Sequence, residues 1–456
     1  MADPQVFKAY DIRGIHGEQI DDEDAYAIGR AYARVLAELR SKPSSELRVG
    51  LGRDMRLEAP SFSERFRDGL VAEGCAVIDA GQIATEMLYF LVGTRELDGG
   101  AVITASHNPK GYIGAKLVRE GALALSGEAG IGDIRDLVAA GLPNDAPGGG
   151  SVEAVADLFA EFHDYATGLI DVGAVKPLKV VVDGGNGMAG PMVGPLLDRM
   201  GLDLQTTCWE PDGEFPDHEP NPMLPENREF VIERVRSEGA DLGIAWDGDA
   251  DRCFFIDSDG EFVDGDFLTA LLARQVLEKD PGATILYDVR ASRAVRDTVA
   301  ELGGRSDVNR VGHAFFKLGL REQKAAFGGE VSGHYYFRDF WCADSGTLPA
   351  LYVLELLSKD TRTLAEMVGE YRSRYFISGE INSEVGDQEA KMSQLAERFA
   401  DGEVSKLDGI SVDYEDWHFN VRPSNTEPLL RLNLESLVSR EDMERRRDEL
   451  LELIRS

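Results

Sequence analysis

Residues 242–252 read LGIAWDGDADR, in which five residues suited to a buried strand precede a loop with three aspartates. Alternate side chains of an extended chain point the same way, so Asp247, Asp249 and Asp251 are expected to present their carboxylates to one side. In α/β proteins, loops at the carboxyl ends of parallel strands form the functional site. We therefore expect an α/β fold with its chemistry at such an edge.

The same pattern of a strand followed by a polar loop recurs along the chain, with helix-like sequence between the copies. The other loops are residues 52–54, 105–108, 183–185, 287–290 and 328–330. This repetition predicts three related α/β domains with mixed sheets. A capping pattern at Ser439 and Asp442 opens a final helix through Arg455, and predicts a smaller C-terminal α+β domain.

Domain limits follow from changes in composition. Residues 143–151 are rich in glycine, proline and polar residues, which indicates a linker. We expect domains at residues 1–150, 151–255, 256–368 and 369–456.

Composition excludes several classes of protein. The 456 residues carry a net charge of −34, which argues against a general basic surface for nucleic acid. No apolar run is long enough to span a membrane and no signal peptide is visible, so we expect a cytoplasmic protein without membrane or nucleic-acid partners. The four cysteines are widely spaced, which predicts reduced thiols and neither a disulfide framework nor a zinc knuckle.

The aspartate triplet suits a hard cation. Carboxylate oxygens bind Mg²⁺ or Ca²⁺. A Ca²⁺ loop of the EF-hand type needs glycine at its sixth position and glutamate at its twelfth, where this chain has Arg252 and Ser258. The sequence therefore favours Mg²⁺.

Ser106 follows a predicted strand, where its hydroxyl is expected to be exposed. A serine hydrolase is disfavoured, because no GxSxG motif occurs and the adjacent His107 is not expected to form the required hydrogen bond with Ser106. Residues 185–190 match the dinucleotide pattern GxGxxG, but a single match carries little weight. No Walker A motif is present, so an ATP-dependent kinase is also disfavoured.

Two further segments suit a sugar phosphate. Residues 422–428 combine an arginine, hydroxyls, an amide and turn-forming prolines, a composition suited to a phosphate-binding loop, and Arg431 adds a second cation. Glu330 and Ser332 lie on a glycine-rich loop and offer the acceptors and donors that sugar hydroxyls need.

Together, residues 10–14 (YDIRG) and the motifs around Ser106, Asp247, Glu330 and Arg422 resemble the α-D-phosphohexomutase family over essentially the whole chain. The bacterial phosphomannomutase/phosphoglucomutase branch is the most similar. The resemblance implies four domains around a central cleft, which supply a phosphoserine loop, a metal loop, a sugar loop and a phosphate loop in turn. Residues 113–116 (IGAK) and Leu57 depart from the usual family pattern, which affects the expected shape of those loops.

The resemblance also implies roles for individual residues. Ser106 would carry the phosphoryl group and, with Asp247, Asp249 and Asp251, bind Mg²⁺. Proton transfer and transition-state contacts would fall to Lys116, His334 and Arg13, with the acid and the base not assigned. The expected substrate contacts are Tyr10, Arg252, Arg290, Gly312, His313, Glu330, Ser332, Arg422, Ser424, Asn425, Thr426 and Arg431.

The implied reaction interconverts hexose 1-phosphate and hexose 6-phosphate through a 1,6-bisphosphate, with mannose and also glucose as the sugar. Mg²⁺ and a hexose 1,6-bisphosphate activator are the implied cofactors, small sugar phosphates are the partners, and the oligomeric state is left open. Three alternatives stay open: a phosphoglucosamine mutase, a Mg²⁺-dependent sugar-phosphate phosphotransferase or phosphohydrolase, and a sugar-phosphate-binding protein without catalysis.

Overall fold

The computed structural model describes residues 2–127, 130–424 and 429–456. The chain forms two compact units. Unit 1 comprises residues 1–262 and 332–363, and unit 2 comprises residues 263–331 and 364–456.

The first part of unit 1 is a mixed sheet covered by helices. Its elements are β1 (Ile12–Ile15), α1 (Asp22–Arg40), β2 (Arg48–Arg53), α2 (Ala59–Ala72), β3 (Ala76–Gln82), α3 (Thr85–Thr94), β4 (Gly99–Ile103), β5 (Tyr112–Arg119), β6 (Leu123–Ala124), α4 (Ile131–Ala140) and β7 (Ser151–Ala154). The strand order is β1-β5-β4-β2-β3-β7, with β6 paired to β5. The sheet includes β7, so it continues past residue 150.

The central strands β2 and β4 are parallel, and Val49, Leu51, Ala101 and Ile103 are fully buried on them. Parallel strands covered on both faces have this continuous apolar character. Because β2 and β4 are parallel neighbours, their ends, which carry the 53–56 and 104–108 loops, lie side by side.

The helix α1 begins after Asp21, which caps it through a reciprocal capping box with Asp24.

A second mixed sheet follows in unit 1. Its elements are α5 (Leu158–Thr167), β8 (Lys179–Asp183), α6 (Ala189–Asp198), β9 (Asp203–Thr207), α7 (Pro225–Glu238), β10 (Leu242–Trp246) and β11 (Cys253–Ile256). The order is β11-β10-β8-β9, with β10 parallel to β8 and antiparallel to β11. The apolar run 242–246 thus forms a strand, as predicted, and all five residues are buried.

The chain passes into unit 2 at β12 (Phe262–Val263) and continues through α8 (Gly265–Lys279), β13 (Thr284–Asp288), α9 (Arg293–Glu301), β14 (Arg305–Asn309), α10 (His313–Gln323) and β15 (Phe327–Gly329). Strands β14, β13 and β15 pair in that order and are parallel. The chain then returns to unit 1 through β16 (Tyr335–Phe337), β17 (Ala343–Asp344) and α11 (Thr347–Lys359). Strands β16 and β17 are antiparallel.

The last part of unit 2 is an antiparallel sheet with helices. Its elements are α12 (Leu364–Arg372), β18 (Phe376–Ile377), β19 (Ile381–Glu384), α13 (Gln388–Arg398), β20 (Glu403–Ser405), β21 (Ile410–Asp413), β22 (Trp417–Pro423), β23 (Leu429–Ser436) and α14 (Arg440–Arg455). The order is β18-β23-β22-β21-β20, with β19 also on β23. Ser439 caps α14 by accepting a hydrogen bond from the Asp442 N–H, as predicted.

The predicted fold class, three α/β domains with mixed sheets and a C-terminal α+β domain, is confirmed. Five short 3-10 helices complete the described elements, at Pro4–Val6, Ser44–Glu46, Glu120–Ala122, Val172–Ala174 and Arg338–Phe340. Within the described ranges, no helix is both long and apolar enough to cross a bilayer.

Candidate active site

Ser106 lies in the loop after β4, where the structure holds its hydroxyl in one direction. Its backbone has a φ of +50°, in the left-handed region that residues other than glycine rarely adopt. The residue is only 3% exposed, and its Oγ donates a hydrogen bond to Asp247 Oδ2 at 2.9 Å. The loop after β4 and the loop after β10 therefore meet at this hydroxyl.

The neighbouring imidazole also contacts Ser106, with 3.2 Å between Ser106 Oγ and His107 Nδ1. The expectation that these adjacent side chains could not form a hydrogen bond is wrong, because the left-handed turn brings the two groups to one side. Burial lowers the pKa of His107 well below its usual range. The ring is therefore neutral near pH 7.

Arg56 holds the backbone of the Ser106 loop in place. Its guanidinium donates hydrogen bonds to the carbonyl oxygens of Ser106 at 2.7 Å, Asn108 at 2.6 Å and Pro109 at 3.0 Å. The sequence motifs predicted no role for Arg56. Its signal was the charged run 53–56 after β2, which is the strand beside β4.

The three aspartates after β10 converge in a tight turn. Ala250 has a φ of +56°, and its N–H donates to the Asp247 carbonyl at 3.0 Å. One oxygen from each of Asp247, Asp249 and Asp251 lies within 4.8 Å of the others, and all three residues are buried. The carboxylates therefore meet as predicted, although a turn and not an extended backbone brings them together.

Lys116, on β5, supplies the positive charge closest to this triplet. Its Nζ donates to Asp249 Oδ2 at 2.7 Å and forms a shorter ion pair with Asp251. Burial alone acts to lower the pKa of Lys116, but Asp249 and Asp251 outweigh it and raise that pKa above its usual range. The ammonium group is therefore fixed and charged among the carboxylates.

The carboxyl groups of the triplet differ in their pKa directions. Burial raises the pKa of Asp247, although Arg252 offsets part of the effect through a bond from its Nε to Asp247 Oδ2 at 2.9 Å. Burial also favours a higher pKa for Asp249, but Lys116 and the Thr85 hydroxyl outweigh it and lower that pKa. Burial and the neighbouring Asp249 carboxylate raise the pKa of Asp251. The raised pKa values of Asp247 and Asp251 indicate that Lys116 and Arg252 only partly compensate for burying three carboxyl groups together.

The donor set fits a divalent cation. The Oδ1 atoms of Asp249 and Asp251 are buried and accept no hydrogen bond from the described part of the chain. A buried carboxylate oxygen without a hydrogen-bond donor is costly, and a hard cation bound by the triplet is the kind of partner that such an oxygen accepts. Asp247, Asp249 and Asp251 are therefore a candidate metal site with oxygen ligands.

Two more predicted residues of unit 1, His334 and Arg13, lie beside the aspartate triplet and the Ser106 loop, respectively. His334 Nε2 lies 3.9 Å from Asp251 Oδ1, while His334 Nδ1 lies 3.0 Å from Ser332 Oγ. Arg13, on β1, donates from Nη1 to Asn108 Oδ1 at 2.6 Å, which places its guanidinium against the Ser106 loop. Asp344 was missed, although one of its oxygens lies within 4.8 Å of donor atoms on Asp251 and His334.

Three predicted arginines of unit 2 surround one carboxylate, which no sequence motif pointed to. Glu380 lies 3.4 Å from Arg290, 3.2 Å from Arg422 and 3.1 Å from Arg431, measured between carboxylate oxygens and guanidinium nitrogens. Burial acts to raise the pKa of Glu380, but the arginines outweigh it and lower that pKa. The cluster holds more positive than negative charge, as a phosphate site requires. Glu380 lay outside every motif, so only its position in the folded chain identifies it.

The remaining predicted contacts of unit 2 surround Glu330. Its Oε1 accepts the N–H of Gly312 at 2.7 Å, immediately before His313 opens α10. Asp288 binds Arg290 through two bonds, at 2.8 and 3.0 Å, and accepts the Val331 N–H at 2.9 Å. Asp288 therefore links Arg290 to the backbone next to Glu330.

Four predicted contacts add little to this picture. Ser424 lies 3.4 Å from Arg431 through its Oγ. Asn425 and Thr426 lie outside the described residues. Tyr10 lies just before β1 and is partly buried.

A buried serine hydroxyl bonded to a carboxylate triplet, with a charged lysine beside it on a multidomain α/β scaffold, fits a phosphoryl-transfer protein. Comparison with known proteins is consistent with this class. Four family domains match in order, described as Phosphoglucomutase/phosphomannomutase alpha/beta/alpha domain I (residues 4–141), domain II (160–260), domain III (264–375) and C-terminal domain (380–453).

Individual relatives match over nearly the full length. A protein named Phosphohexose mutases from Xanthomonas campestris pathovar campestris is 42% identical over 452 residues, covering 99% of both chains. A Phosphomannomutase from Escherichia coli is 41% identical over 457 residues, covering 98% of both. A crystal structure of a phosphoglucomutase/phosphomannomutase family protein from Burkholderia thailandensis is 34% identical with a TM-score of 0.89, covering 99% of this chain and 97% of that one.

This chain belongs to the phosphoglucomutase/phosphomannomutase family of enzymes, as the resemblance implied. Membership implies sugar phosphates as the class of substrate.

Proposed function

We propose that this protein is a phosphohexomutase that interconverts the 1- and 6-phosphates of mannose, and also those of glucose. The observation that carries the proposal is the 2.9 Å hydrogen bond from Ser106 Oγ to Asp247, inside a buried cluster of carboxylates and Lys116. The names of the full-length relatives at about 41% identity support mannose as the sugar.

In the proposed reaction, Ser106 carries a phosphoryl group in the working enzyme. The bond between phosphorus and Ser106 Oγ breaks as phosphorus bonds to the free hydroxyl of the substrate, and the hydroxyl proton passes to a base. The product is a hexose 1,6-bisphosphate. This intermediate reverses its orientation in the site and then returns its other phosphoryl group to Ser106. A hexose 1,6-bisphosphate from solution would also load unmodified Ser106, and so act as an activator.

The residues around Ser106 align the reacting atoms and neutralise charge, which is most of what a loose phosphoryl transition state requires. Lys116, Arg252 and Arg13 supply fixed positive charge. Mg²⁺ bound to Asp247, Asp249 and Asp251 would add positive charge beside the phosphoryl oxygens. Arg56 fixes the backbone from which the nucleophile projects.

We assign proton transfer to His334. Lys116 already donates to Asp249 and Asp251, so its hydrogens are engaged by carboxylates. His334 is 18% exposed in its side chain and has Ser332 on Nδ1, which orients the ring. The direction of transfer reverses between the two half-reactions.

The predicted sugar and phosphate contacts supply substrate binding in this proposal. Arg290, Arg422 and Arg431 bind the phosphate that is not being transferred, and Glu330 and Ser332 bind the 3- and 4-hydroxyls. Glucose and mannose share the configuration of these two hydroxyls. We therefore expect the kcat/KM values for the two sugars to differ by less than about 100-fold, or about 2.7 kcal/mol in transition-state binding.

A coupled mutase assay with mannose 1-phosphate, Mg²⁺ and trace glucose 1,6-bisphosphate tests the proposal. Ser106→Ala should lose the activity, whereas Ser237→Ala, an exposed serine on α7, should keep it. Intact mass after incubation with the bisphosphate should show one added phosphoryl group only where Ser106 is present. Equal rates for wild type and Ser106→Ala would reject Ser106 as the carrier.

The same assay separates the alternatives. Release of inorganic phosphate in step with substrate loss would identify a phosphohydrolase. A much higher rate with glucosamine 1-phosphate than with either hexose phosphate would identify a phosphoglucosamine mutase. Binding of substrate without any conversion would identify a binding protein.

A further inference from the structure

A second cluster of metal-ligating side chains lies in unit 1, outside the Ser106 centre. One donor atom each from Asp183, Cys208 and His218 lies within 4.8 Å of the other two. Asp183 is buried, Cys208 is partly buried, and the His218 side chain is 11% exposed. None of the three takes part in the reaction proposed above.

The fold brings the three residues to one edge of the second sheet. Asp183 is the last residue of β8, and Cys208 directly follows the adjacent parallel strand β9, in which Thr207 is the register partner of Asp183. Cys208 has a φ of +44°, and its carbonyl accepts the Asn186 N–H at 2.7 Å. A non-glycine residue in this conformation carries strain, which the surrounding contacts must offset.

The hydrogen bonds of His218 determine which ring nitrogen is a donor. Nδ1 lies 2.8 Å from the Glu219 carbonyl oxygen, which can only accept, so Nδ1 carries a hydrogen. In the neutral ring, Nε2 then directs its lone pair at Asp183 Oδ2, 3.1 Å away. Two acceptors at this distance need a proton or a cation between them.

The other contacts resemble the outer shell of a metal centre. Metal-binding histidines commonly donate their second ring N–H to a backbone carbonyl, as His218 does to Glu219. The second oxygen of Asp183 accepts the Gly185 N–H at 2.9 Å, which orients the carboxylate. Both ligands are thus already held in position by bonds that do not use the facing atoms.

We propose that Asp183, Cys208 and His218 bind one Zn²⁺ ion or a similar borderline transition-metal cation. A sulfur, nitrogen and oxygen donor set suits such a cation and disfavours Mg²⁺, which prefers oxygen alone. On binding, the Cys208 thiol gives its proton to solvent and the thiolate bonds to the metal. Three protein ligands leave a fourth tetrahedral position for water.

The site would tie the 209–224 loop to the sheet edge that carries the aspartate triplet. Asp212 N–H donates to the Asn186 carbonyl at 2.8 Å, and Met188 N–H donates to the Gly248 carbonyl at 2.9 Å. The turn after β8 therefore contacts both the 209–224 loop and the 247–251 loop. The cation is structural in this role, and the inference does not rest on the proposed mutase reaction.

Titration of the full-length protein with Co²⁺, in excess Mg²⁺ to fill the oxygen-ligand site, tests the proposal. A thiolate bonded to Co²⁺ gives a charge-transfer band in the near ultraviolet, which carboxylates do not give. We expect the band at one equivalent in the wild type and its loss in Cys208→Ala. Cys342→Ala is the matched control, because Cys342 also has a positive φ, of 54°. No band in the wild type, or a band that persists in Cys208→Ala, would overturn the site.

A second measurement needs no variant. Alkylation of Cys208 in the wild type, followed by peptide mass analysis, should slow by about tenfold or more when Zn²⁺ is added in excess Mg²⁺, because the metal-bound thiolate is shielded. The alkylation rate of Cys342 in the same sample should not change. An unchanged rate at Cys208 would contradict metal binding and leave an imidazolium–carboxylate pair at this position.

Discussion

At the scale of single residues, the side chains with chemical roles are held by their neighbours before any ligand arrives. Ser106 is in a left-handed turn, with Arg56 bound to its carbonyl and Asp247 to its hydroxyl. Preorganised groups of this kind avoid reorganisation during the reaction. The serine is therefore positioned by two loops that are distant in sequence.

Glu380 is the residue whose removal should change phosphate binding most directly. Its carboxylate lies where three guanidinium groups meet, so it competes with an incoming phosphate for the same donors. We expect Glu380→Gln to bind inorganic phosphate about tenfold more tightly, or about 1.4 kcal/mol, measured by calorimetry. The variant should also have a lower melting temperature without phosphate, because three like charges lose their counter-charge.

The control for this substitution is Glu384→Gln, on the strand that follows Glu380. Glu384 is exposed at the end of β19, so the phosphate affinity should stay at the wild-type value. Weaker phosphate binding by Glu380→Gln would show that Glu380 orients the arginines and does not compete with phosphate.

At the scale of elements, the first sheet of unit 1 depends on a close crossing of α1 and α2. A Cβ atom added at Gly29 would lie 2.2 Å from the Phe66 carbonyl oxygen of the facing helix. Gly29→Ala should therefore force the helices apart and lower the free energy of unfolding by about 1–3 kcal/mol in a denaturant titration.

Gly369 gives a matched comparison for Gly29, because it lies within α12 with nothing near its Cβ position. Gly369→Ala should raise the free energy of unfolding by about 0.5–1 kcal/mol through helix propensity. Equal effects at the two positions would contradict the close helix crossing.

A buried carboxyl group on α3 makes stability depend on pH. Glu86 accepts hydrogen bonds from Ser345 and from Thr347, the latter at 2.5 Å, and burial raises its pKa from 4.5 to about 8. Between these values the folded state holds a proton that the unfolded state has lost. The contribution of Glu86 to stability should therefore fall as pH rises, by about 1.4 kcal/mol per pH unit between 4.5 and 8.

Thermal unfolding of wild type and Glu86→Gln across pH 5 to 8 would measure this effect. The difference in melting temperature should move in favour of Glu86→Gln as the pH rises, since the amide has no charge to bury. A constant difference over this range would show that Glu86 is already ionised in the folded protein.

In the molecule as a whole, positively charged side chains are concentrated at the predicted sites, although the chain is strongly acidic. The chain carries a net charge of −34, yet each unit concentrates cations at the residues of its predicted site. Lys116 and Arg252 surround the carboxylates of unit 1, and Arg290, Arg422 and Arg431 surround Glu380 in unit 2. Local placement of cations therefore allows an acidic protein to bind anionic sugars.

This division predicts separate kinetic effects for the two units. Lys116→Met, in unit 1, should lower kcat by about 100-fold or more, because in the proposed reaction it removes charge beside the transferring group. Arg431→Met, in unit 2, should raise KM by about tenfold with a smaller effect on kcat, because it removes uniform binding of the distal phosphate. Steady-state assays that showed the opposite division would contradict the assigned roles.

The sequence alone determined the strands, the fold class and most of the chemical groups. Apolar runs that end in polar loops are local patterns, and five motifs in order identified the family, so roles could be proposed from the sequence for Ser106, the aspartate triplet, Lys116 and the arginines. The tertiary structure alone identified Arg56, Asp344, Glu380 and the Asp183–Cys208–His218 cluster. These residues matter through contacts with segments distant in sequence, and neither propensity nor spacing encodes which distant loops meet at a sheet edge. The left-handed turn at Ser106 was likewise decided by tertiary contacts, because a strained backbone persists only where its surroundings offset the cost.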